Sequence, residues 1–223
     1  MLFDVDGTLV DSLPMLVRGL GDAYEHFNGQ RPADDDVRPL IGLSLREQMK
    51  LFRPVPPSSS ELDAMCRFAI ERFQQYRSMV VEFELAVQSL RLFHEAGVPT
   101  ALVTSKSEPE LQAFLNAFSG SSWVTATVCS SDVAEPKPAP DSAFLACERV
   151  GADPARSILV GDSVFDLRCA RAAGVRCAAV GYGAGSAEAL LAESPDVYLQ
   201  SPRDLMDWTT QTIYQLPCLE RSP

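Results

Sequence analysis

The chain has 223 residues, 46% of them hydrophobic, which is enough to bury the core of one domain that carries a smaller insertion. A formal net charge of −11, with no basic block, argues against a nucleic-acid or anionic-membrane partner. No apolar run approaches the roughly 18 residues of a membrane-spanning helix. The six cysteines show no paired spacing, which favours reduced thiols and a cytoplasmic location.

Two carboxylates follow the first apolar residues of the chain. Met1, Leu2 and Phe3 precede Asp4-Val5-Asp6-Gly7-Thr8. A strand usually has about five residues, so we predict a short first strand, and the completeness of the N-terminus stays open. The i, i+2 spacing would aim both carboxylates to one face of a strand, and Gly7 permits a sharp turn. Taken alone, the five residues also fit a solvated turn.

Residues 14–80 are mostly helical in pattern and contain no convincing strand. The candidate helices are Met15–Phe27, Leu45–Phe52 and Glu61–Met79. We predict a helical cap domain at 14–80, inserted into a core made of residues 1–13 and 81–223. Residues 40–46 are expected near the opening, where Arg46 is a candidate partner for a substrate anion, although a surface role fits it slightly better.

The second half of the chain alternates apolar runs with helical segments. The predicted strands are Val98–Thr104, Trp123–Cys129, Ser157–Val160 and Cys177–Gly181. The predicted helices are Glu108–Phe118, Asp141–Val150 and Asp166–Ala173. This alternation predicts an α/β fold, a Rossmann-like parallel sheet with crossover helices. An edge strand at Asp196–Leu199 and a closing helix at 202–216 are expected to follow.

Asp4 and Asp6 are the candidate catalytic acids. In an open parallel sheet, ligands bind beyond the carboxyl ends of the strands. A carboxylate at Asp4 is suited to act as a nucleophile that forms an acyl-phosphate. Asp6 is then placed to protonate the leaving oxygen and later to deprotonate the attacking water.

A second acidic motif, Gly161-Asp162-Ser163-Val164-Phe165-Asp166, follows another apolar run. Asp162 or Ser163 alone would more often cap the next helix. Together with Asp4 and the backbone carbonyl of Asp6, however, Asp162 predicts an oxygen-ligand site suited to Mg²⁺. Asp166 is expected either to bind the metal or to support a ligand.

Thr104 and Lys137 are the candidate groups for stabilising a phosphoryl transition state. Thr104 ends a predicted strand, and Lys137 lies between two prolines that restrict the backbone. Thr8, Ser105, Thr104 and Lys137 are the candidate substrate-binding residues, with Lys106 ranked lower. Each signal is weak by itself, since a threonine at a strand end is often structural and a loop lysine is often only solvated.

The four motifs, in this order, resemble the haloacid dehalogenase superfamily of phosphohydrolases, closest in plan to its phosphoglycolate-phosphatase-like branch. The resemblance implies a phosphorylated nucleophile at Asp4, an acid/base at Asp6, and phosphate binding by Thr104 and Lys137. It also implies that Asp4, Asp6, Asp162 and Asp166 hold Mg²⁺. Dehalogenase relatives lack the second aspartate, so Asp6 favours phosphate chemistry.

The function predicted from the sequence is a Mg²⁺-dependent phosphatase. It would hydrolyse a small phosphorylated metabolite, phosphoglycolate-like or a sugar phosphate, through an aspartyl-phosphate. The alternatives are a phosphosugar mutase of the β-phosphoglucomutase type and a noncatalytic phosphometabolite-binding regulatory protein. The sequence fits a monomer or a homodimer and leaves the substrate open.

Overall fold

The computed structural model describes residues 1–51 and 55–215. The strands are β1 (Leu2–Phe3), β2 (Val10–Asp11), β3 (Val81–Glu82), β4 (Ala101–Val103), β5 (Ala126–Val128), β6 (Ile158–Gly161), β7 (Arg176–Val180) and β8 (Val197–Leu199). The helices are α1 (Leu13–Asn28), α2 (Asp34–Val37), α3 (Leu45–Leu51), α4 (Ser59–Tyr76), α5 (Glu84–Glu95), α6 (Glu108–Leu115), α7 (Asp141–Arg149), α8 (Val164–Ala172), α9 (Ala187–Ala192) and α10 (Pro202–Gln215). Across these two ranges, no helix is both long enough and apolar enough to span a membrane.

Six of the strands form one parallel sheet in the order β5-β4-β1-β6-β7-β8. The chain runs outward from β1 through β4 to β5 and then returns to β6 on the other side of β1. Ligands bind where an open parallel sheet reverses direction in this way, beyond the carboxyl ends of its strands. The predicted α/β fold with a parallel sheet is confirmed, and the reversal lies next to β1.

β1 is as short as the sequence predicts. Leu2 and Phe3 are fully buried, and the Asp4 N–H continues the ladder by donating to the Val160 carbonyl at 2.9 Å. The chain then turns at Gly7, which has a φ of +78°. Asp6 therefore lies beyond the regular strand. The alternation of side-chain directions along β1, from which a face shared with Asp4 was predicted, does not extend to Asp6.

Two apolar layers cover the faces of the sheet. Leu2 and Leu159 point into the layer that also contains Leu167 of α8. Phe3 and Val160 point into the opposite layer, with residues of α5 and α10. Burial on both faces is what a central parallel sheet requires, and it fixes the strand ends that carry the polar residues.

Helices α1 to α4 have a core of their own. Leu20, Tyr24, Met49 and Met65 are fully buried within it. Helix α4 begins with a capping box in which Ser58 and Glu61 satisfy each other's backbone N–H groups, an arrangement that stabilises a helix start. The helices predicted at 15–27, 45–52 and 61–79 correspond to α1, α3 and α4, although Phe52 lies outside the described residues.

The pair β2 and β3 was not predicted. Val10 faces Glu82 and Asp11 faces Val81 in an antiparallel ladder, so the two connections between the four helices and the sheet lie side by side.

The C-terminal prediction holds within the described residues. Strand β8 and helix α10 take the predicted places, whereas Leu216 and Cys218 lie outside the described residues. The other five cysteines are free thiols.

Candidate active site

The site is built around Lys137, whose ammonium group is almost completely enclosed. Its Nζ atom donates to Asp4 Oδ1 at 2.6 Å and to Asp166 Oδ1 at 2.7 Å. A third hydrogen bond goes to the Val103 carbonyl at 3.0 Å. Lys137 is 2% exposed, Asp4 4% and Asp166 0%. Lys137 thus joins the last residue of β4 to residues that follow β1 and β6, at the carboxyl edge of the sheet.

Asp162 lies against the same cluster. It accepts hydrogen bonds from the Thr8 hydroxyl at 3.2 Å and from the Ala184 N–H at 2.6 Å. Oxygen atoms of Asp4, Asp162 and Asp166 all lie within 4.8 Å of one another. Three buried carboxylates facing one ammonium leave a formal charge of −2, which one divalent cation would balance.

The protonation equilibria reflect this excess of negative charge. Burial raises the pKa of Asp4 to about 7; Lys137 opposes the rise, while Asp166 and Asp6 add to it. Burial, and then the charge of Asp4, also raises the pKa of Asp162 well above its usual value. For Lys137, burial acts to lower the pKa, but the carboxylates of Asp166 and Asp4 outweigh burial and raise it. The lysine therefore stays protonated, and the carboxylates require further positive charge to be ionised together.

Asp6 belongs to a separate pair at the edge of the site. Lys106 Nζ lies 2.8 Å from Asp6 Oδ1 and 2.7 Å from its Oδ2. The Ser12 hydroxyl donates to the same carboxylate at 2.6 Å. The Asp6 side chain is 16% exposed, so it is more accessible than the three enclosed carboxylates, and its carboxylate is not among that group of possible metal ligands.

The remaining predicted residues also reach this edge of the sheet. The Thr104 hydroxyl is 2% exposed and accepts from the Lys106 N–H at 3.2 Å. The Ser105 hydroxyl donates to the Gly42 carbonyl at 2.6 Å, and so links the sheet to the inserted helices. The Thr8 hydroxyl is directed to Asp162. All three of the predicted substrate-binding hydroxyls therefore have protein partners, and Thr8 and Ser105 already use their protons.

The loop at residues 181–186, Gly-Tyr-Gly-Ala-Gly-Ser, also belongs to the site but was not predicted. Besides the N–H of Ala184, it supplies Tyr182, whose hydroxyl donates to the Thr8 carbonyl at 2.9 Å. Gly183 approaches Asp162 so closely that an added Cβ would lie 2.2 Å from its Oδ2 atom. Three alternate glycines directly after a strand were the signal for a close backbone approach. The ion pair between Lys106 and Asp6 was likewise underestimated.

Among the described residues, one other group has the spacing of a possible metal site: Glu108, Cys129 and Asp132. The Asp132 carboxylate already accepts hydrogen bonds from Arg149 at 3.0 and 3.1 Å. The Cys129 thiol lies 3.4 Å from Glu108 Oε2. Arg149 therefore already balances the charge of Asp132, whereas a single lysine, Lys137, faces three carboxylates.

Comparison with known proteins agrees with this geometry. The haloacid dehalogenase-like hydrolase family model matches residues 1–180. The chain belongs to this family. A pyrophosphatase PpaX from Bacillus velezensis is 29% identical, over 94% of this chain and 95% of the relative. A phosphoglycolate phosphatase from Shigella boydii is 31% identical, over 92% of this chain and 89% of the relative.

A solved structure gives the same fold. The crystal structure of a hydrolase from Pseudomonas syringae has a TM-score of 0.84 with 19% identity, over 94% of this chain and 97% of that one. The predicted membership of the haloacid dehalogenase superfamily is confirmed.

Proposed function

We propose that this protein is a metal-dependent phosphatase that hydrolyses a phosphate ester of a small metabolite through a phosphorylated Asp4. The observation that carries the proposal is the convergence of Asp4, Lys137, Asp162 and Asp166 at the reversal point of the sheet, with Asp6 beside them. The names of the related phosphatases support the same reaction class. The five cysteines among the described residues are free thiols, the form that the reducing cytoplasm favours.

In the proposed first step, a carboxylate oxygen of Asp4 attacks phosphorus and the bond from phosphorus to the leaving oxygen breaks. Asp6, as the carboxylic acid, gives its proton to that oxygen. In the second step, Asp6 takes a proton from a water molecule, whose oxygen attacks phosphorus. The phosphorus–Asp4 bond then breaks, which releases phosphate and restores the carboxylate.

Lys137 and Thr104 are proposed to hold the phosphoryl group. The Lys137 ammonium is fixed by three hydrogen bonds, so its charge is already oriented before substrate arrives. The Thr104 hydroxyl, with the neighbouring backbone N–H groups, would bind the phosphoryl oxygens. Lys106 and Ser12 hold the Asp6 carboxylate by two different contacts and so set its position.

The three enclosed carboxylates fit a hard divalent cation such as Mg²⁺, because they offer only oxygen ligands and a charge of −2. Asp4, Asp162 and Asp166 would hold it, with the Asp6 carbonyl as a further ligand. When bound, it would neutralise charge on the phosphoryl oxygens.

We propose that residues 14–80 act as a cap over this site. The hydrogen bond from Ser105 to the Gly42 carbonyl supports this role, because Ser105 directly follows Thr104 of the proposed site.

The test is phosphate release from phosphoglycolate, pyrophosphate, glycerol phosphate and hexose phosphates, with and without Mg²⁺. We expect metal-dependent release that Asp4→Asn abolishes and that Asp207→Asn, an exposed change on α10, leaves unchanged. Isomerisation of a phosphosugar without phosphate release would assign a mutase instead. Binding without turnover would assign a noncatalytic binding protein.

A further inference from the structure

A cleft of about 540 Å³ lies between the inserted helices and the sheet. Residues 44–47 line it from one side, and Ser105, Glu110 and Pro136 line it from the other. Ser105 directly follows Thr104 and Pro136 directly precedes Lys137, so the cleft opens beside the proposed phosphoryl site. Its volume is in the range of pockets that hold a whole small molecule, well beyond a two-carbon fragment.

The charge of the cleft is unfavourable for an anion. Its lining includes Glu110 and Glu135, and also Glu47, whose carboxylate is paired with Lys50 at 2.5 Å. Among the described residues that line it, the one basic side chain is that of Arg46, whose guanidinium lies 2.5 Å from the Asp63 carboxylate. Glu135 is exposed and has no ion-pair partner in the described part of the chain. A second negative group on a substrate would therefore meet mainly like charge.

Three of the five serine hydroxyls that line the cleft present acceptors, because their protons are already used. Ser105 donates to the Gly42 carbonyl at 2.6 Å, and Ser130 donates to the Lys106 carbonyl at 2.9 Å. Ser107 donates to the Glu110 carboxylate at 2.5 Å. A hydroxyl has one proton and two lone pairs, so each of these groups can still accept. The other two, Ser44 and Ser131, each accept from a backbone N–H and keep a proton to donate. The three glutamates add further acceptors, so acceptors outnumber free donors on this wall.

We propose that this cleft receives the leaving group of the substrate and selects one that is rich in hydrogen-bond donors and carries no negative charge, such as a sugar or an amino sugar. A carboxylate or a second phosphate offers only acceptors and charge of the same sign, so leaving groups that carry one are rejected. This inference rests on the proposed phosphatase function. It predicts that phosphoglycolate and pyrophosphate, after which two of the relatives are named, are poor substrates of this protein.

The test compares kcat/KM for phosphate release, with Mg²⁺ present, within sets matched for size. Glucose 6-phosphate and glucosamine 6-phosphate are set against 6-phosphogluconate, and 2-hydroxyethyl phosphate and phosphoethanolamine against phosphoglycolate. We expect the neutral or cationic member of each set to be preferred by about tenfold or more. Equal rates, or a preference for the anionic members, would overturn the inference.

The Glu135→Gln variant tests the cause of the preference. Removal of this charge is expected to narrow the preference for glucose 6-phosphate over 6-phosphogluconate by roughly threefold, since one like-charge contact is lost. Glu188→Gln, on the distant helix α9, should leave the preference unchanged. A preference that is the same in Glu135→Gln and Glu110→Gln as in the wild type would contradict the electrostatic argument.

The two proposals fail in different ways. Phosphate release that depends on Asp4 but favours phosphoglycolate overturns the substrate class alone. No release from any ester in the panel, by protein with a cooperative unfolding transition, overturns the phosphatase function and the inference that rests on it.

Discussion

The carboxylate of Asp162 is enclosed by two glycines from distant parts of the chain. A Cβ atom on either Gly7 or Gly183 would lie 2.2 Å from Asp162 Oδ2. Gly7 also has a φ of +78°, in the left-handed region. Gly29 has nearly the same φ, +75°, but an added Cβ there would meet nothing within 4 Å. Alanine substitutions at Gly7 and at Gly29 therefore separate the effect of a contact with Asp162 from the effect of left-handed backbone strain.

We expect Gly7→Ala to lower kcat/KM by about 100-fold, because a displaced Asp162 no longer fits the reacting geometry. Gly29→Ala should cost about 1 kcal/mol of unfolding free energy from left-handed strain alone and leave kcat/KM unchanged. Phosphate release and urea unfolding of both variants provide the measurement. Wild-type activity in Gly7→Ala would show that the position of Asp162 is not required.

At the residue scale, chemical type and position after a strand were enough to predict most of the cluster. Asp4 and Asp162 were chosen in this way and Lys137 for its place between two prolines, and the structure brings the three together. The pair of Lys106 with Asp6 was harder, because the partners are 100 residues apart. Their contact depends on how two turns approach each other, and no local pattern records that approach.

At the scale of elements, the end of α7 is tied to the loop after β5. Both terminal nitrogens of Arg149 donate to the Asp132 carboxylate, and the Cys129 N–H donates to it at 2.8 Å. The hydrogen bond from Arg149 is the main cause that lowers the pKa of Asp132 from its usual 3.8 to about 2, against the opposing effect of burial. The folded state therefore favours the ionised form.

Asp132→Asn is accordingly expected to destabilise the fold in a pH-dependent way. Because the folded pKa lies below the unfolded one, the stabilisation is complete above about pH 4 and is lost as the pH falls towards 2. We expect a cost of about 1 kcal/mol at pH 7, after allowance for solvent screening at this partly exposed pair. The cost should shrink as the pH is lowered.

Urea unfolding of wild type and variant between pH 7 and pH 3 measures this difference. Asp63→Asn, which breaks the half-exposed pair with Arg46, serves as the control and should cost under about 0.5 kcal/mol. A difference for Asp132→Asn that stays constant or grows on acidification would contradict the assigned cause.

Element types were predictable because the helices and buried strands are long or apolar enough to show a period. The first and last residues of these elements were harder to predict. The run predicted as a strand from Val98 contributes only residues 101–103 to β4, because the Val98 N–H donates to the Phe93 carbonyl at the end of α5 and Pro99 has no N–H to donate. The two-residue strands β2 and β3 carry no period at all, and they form only when segments about 70 residues apart meet.

For the whole molecule, the carboxylate cluster links metal binding to folding. Asp4 follows β1 and Asp162 follows β6, so the ligands converge only in the folded sheet. A cation that binds this arrangement and not the unfolded chain must raise the stability of the fold.

We expect Mg²⁺ at about 100 times its dissociation constant to add roughly 2.7 kcal/mol, which corresponds to a rise in Tm of roughly 5–10 °C for a chain of this size. Thermal unfolding with Mg²⁺ and with a chelator measures the rise in each variant. Asp162→Asn should abolish the rise. Asp132→Asn, in the Glu108–Cys129–Asp132 group, should leave the rise in Tm unchanged. The reverse result would show that the metal binds to that group instead.

The strands β2 and β3 carry the chain into and out of the four inserted helices. Because the two strands pair antiparallel, the entry and the exit lie about 5 Å apart. An exchange of the whole segment would therefore leave the order of the six-stranded sheet, and the residues at its edge, untouched. In evolutionary terms, recombination at these two adjacent points would replace the wall of the cleft that carries Arg46 and Glu47, and would keep the wall that carries Glu110 and Glu135 with the proposed catalytic residues.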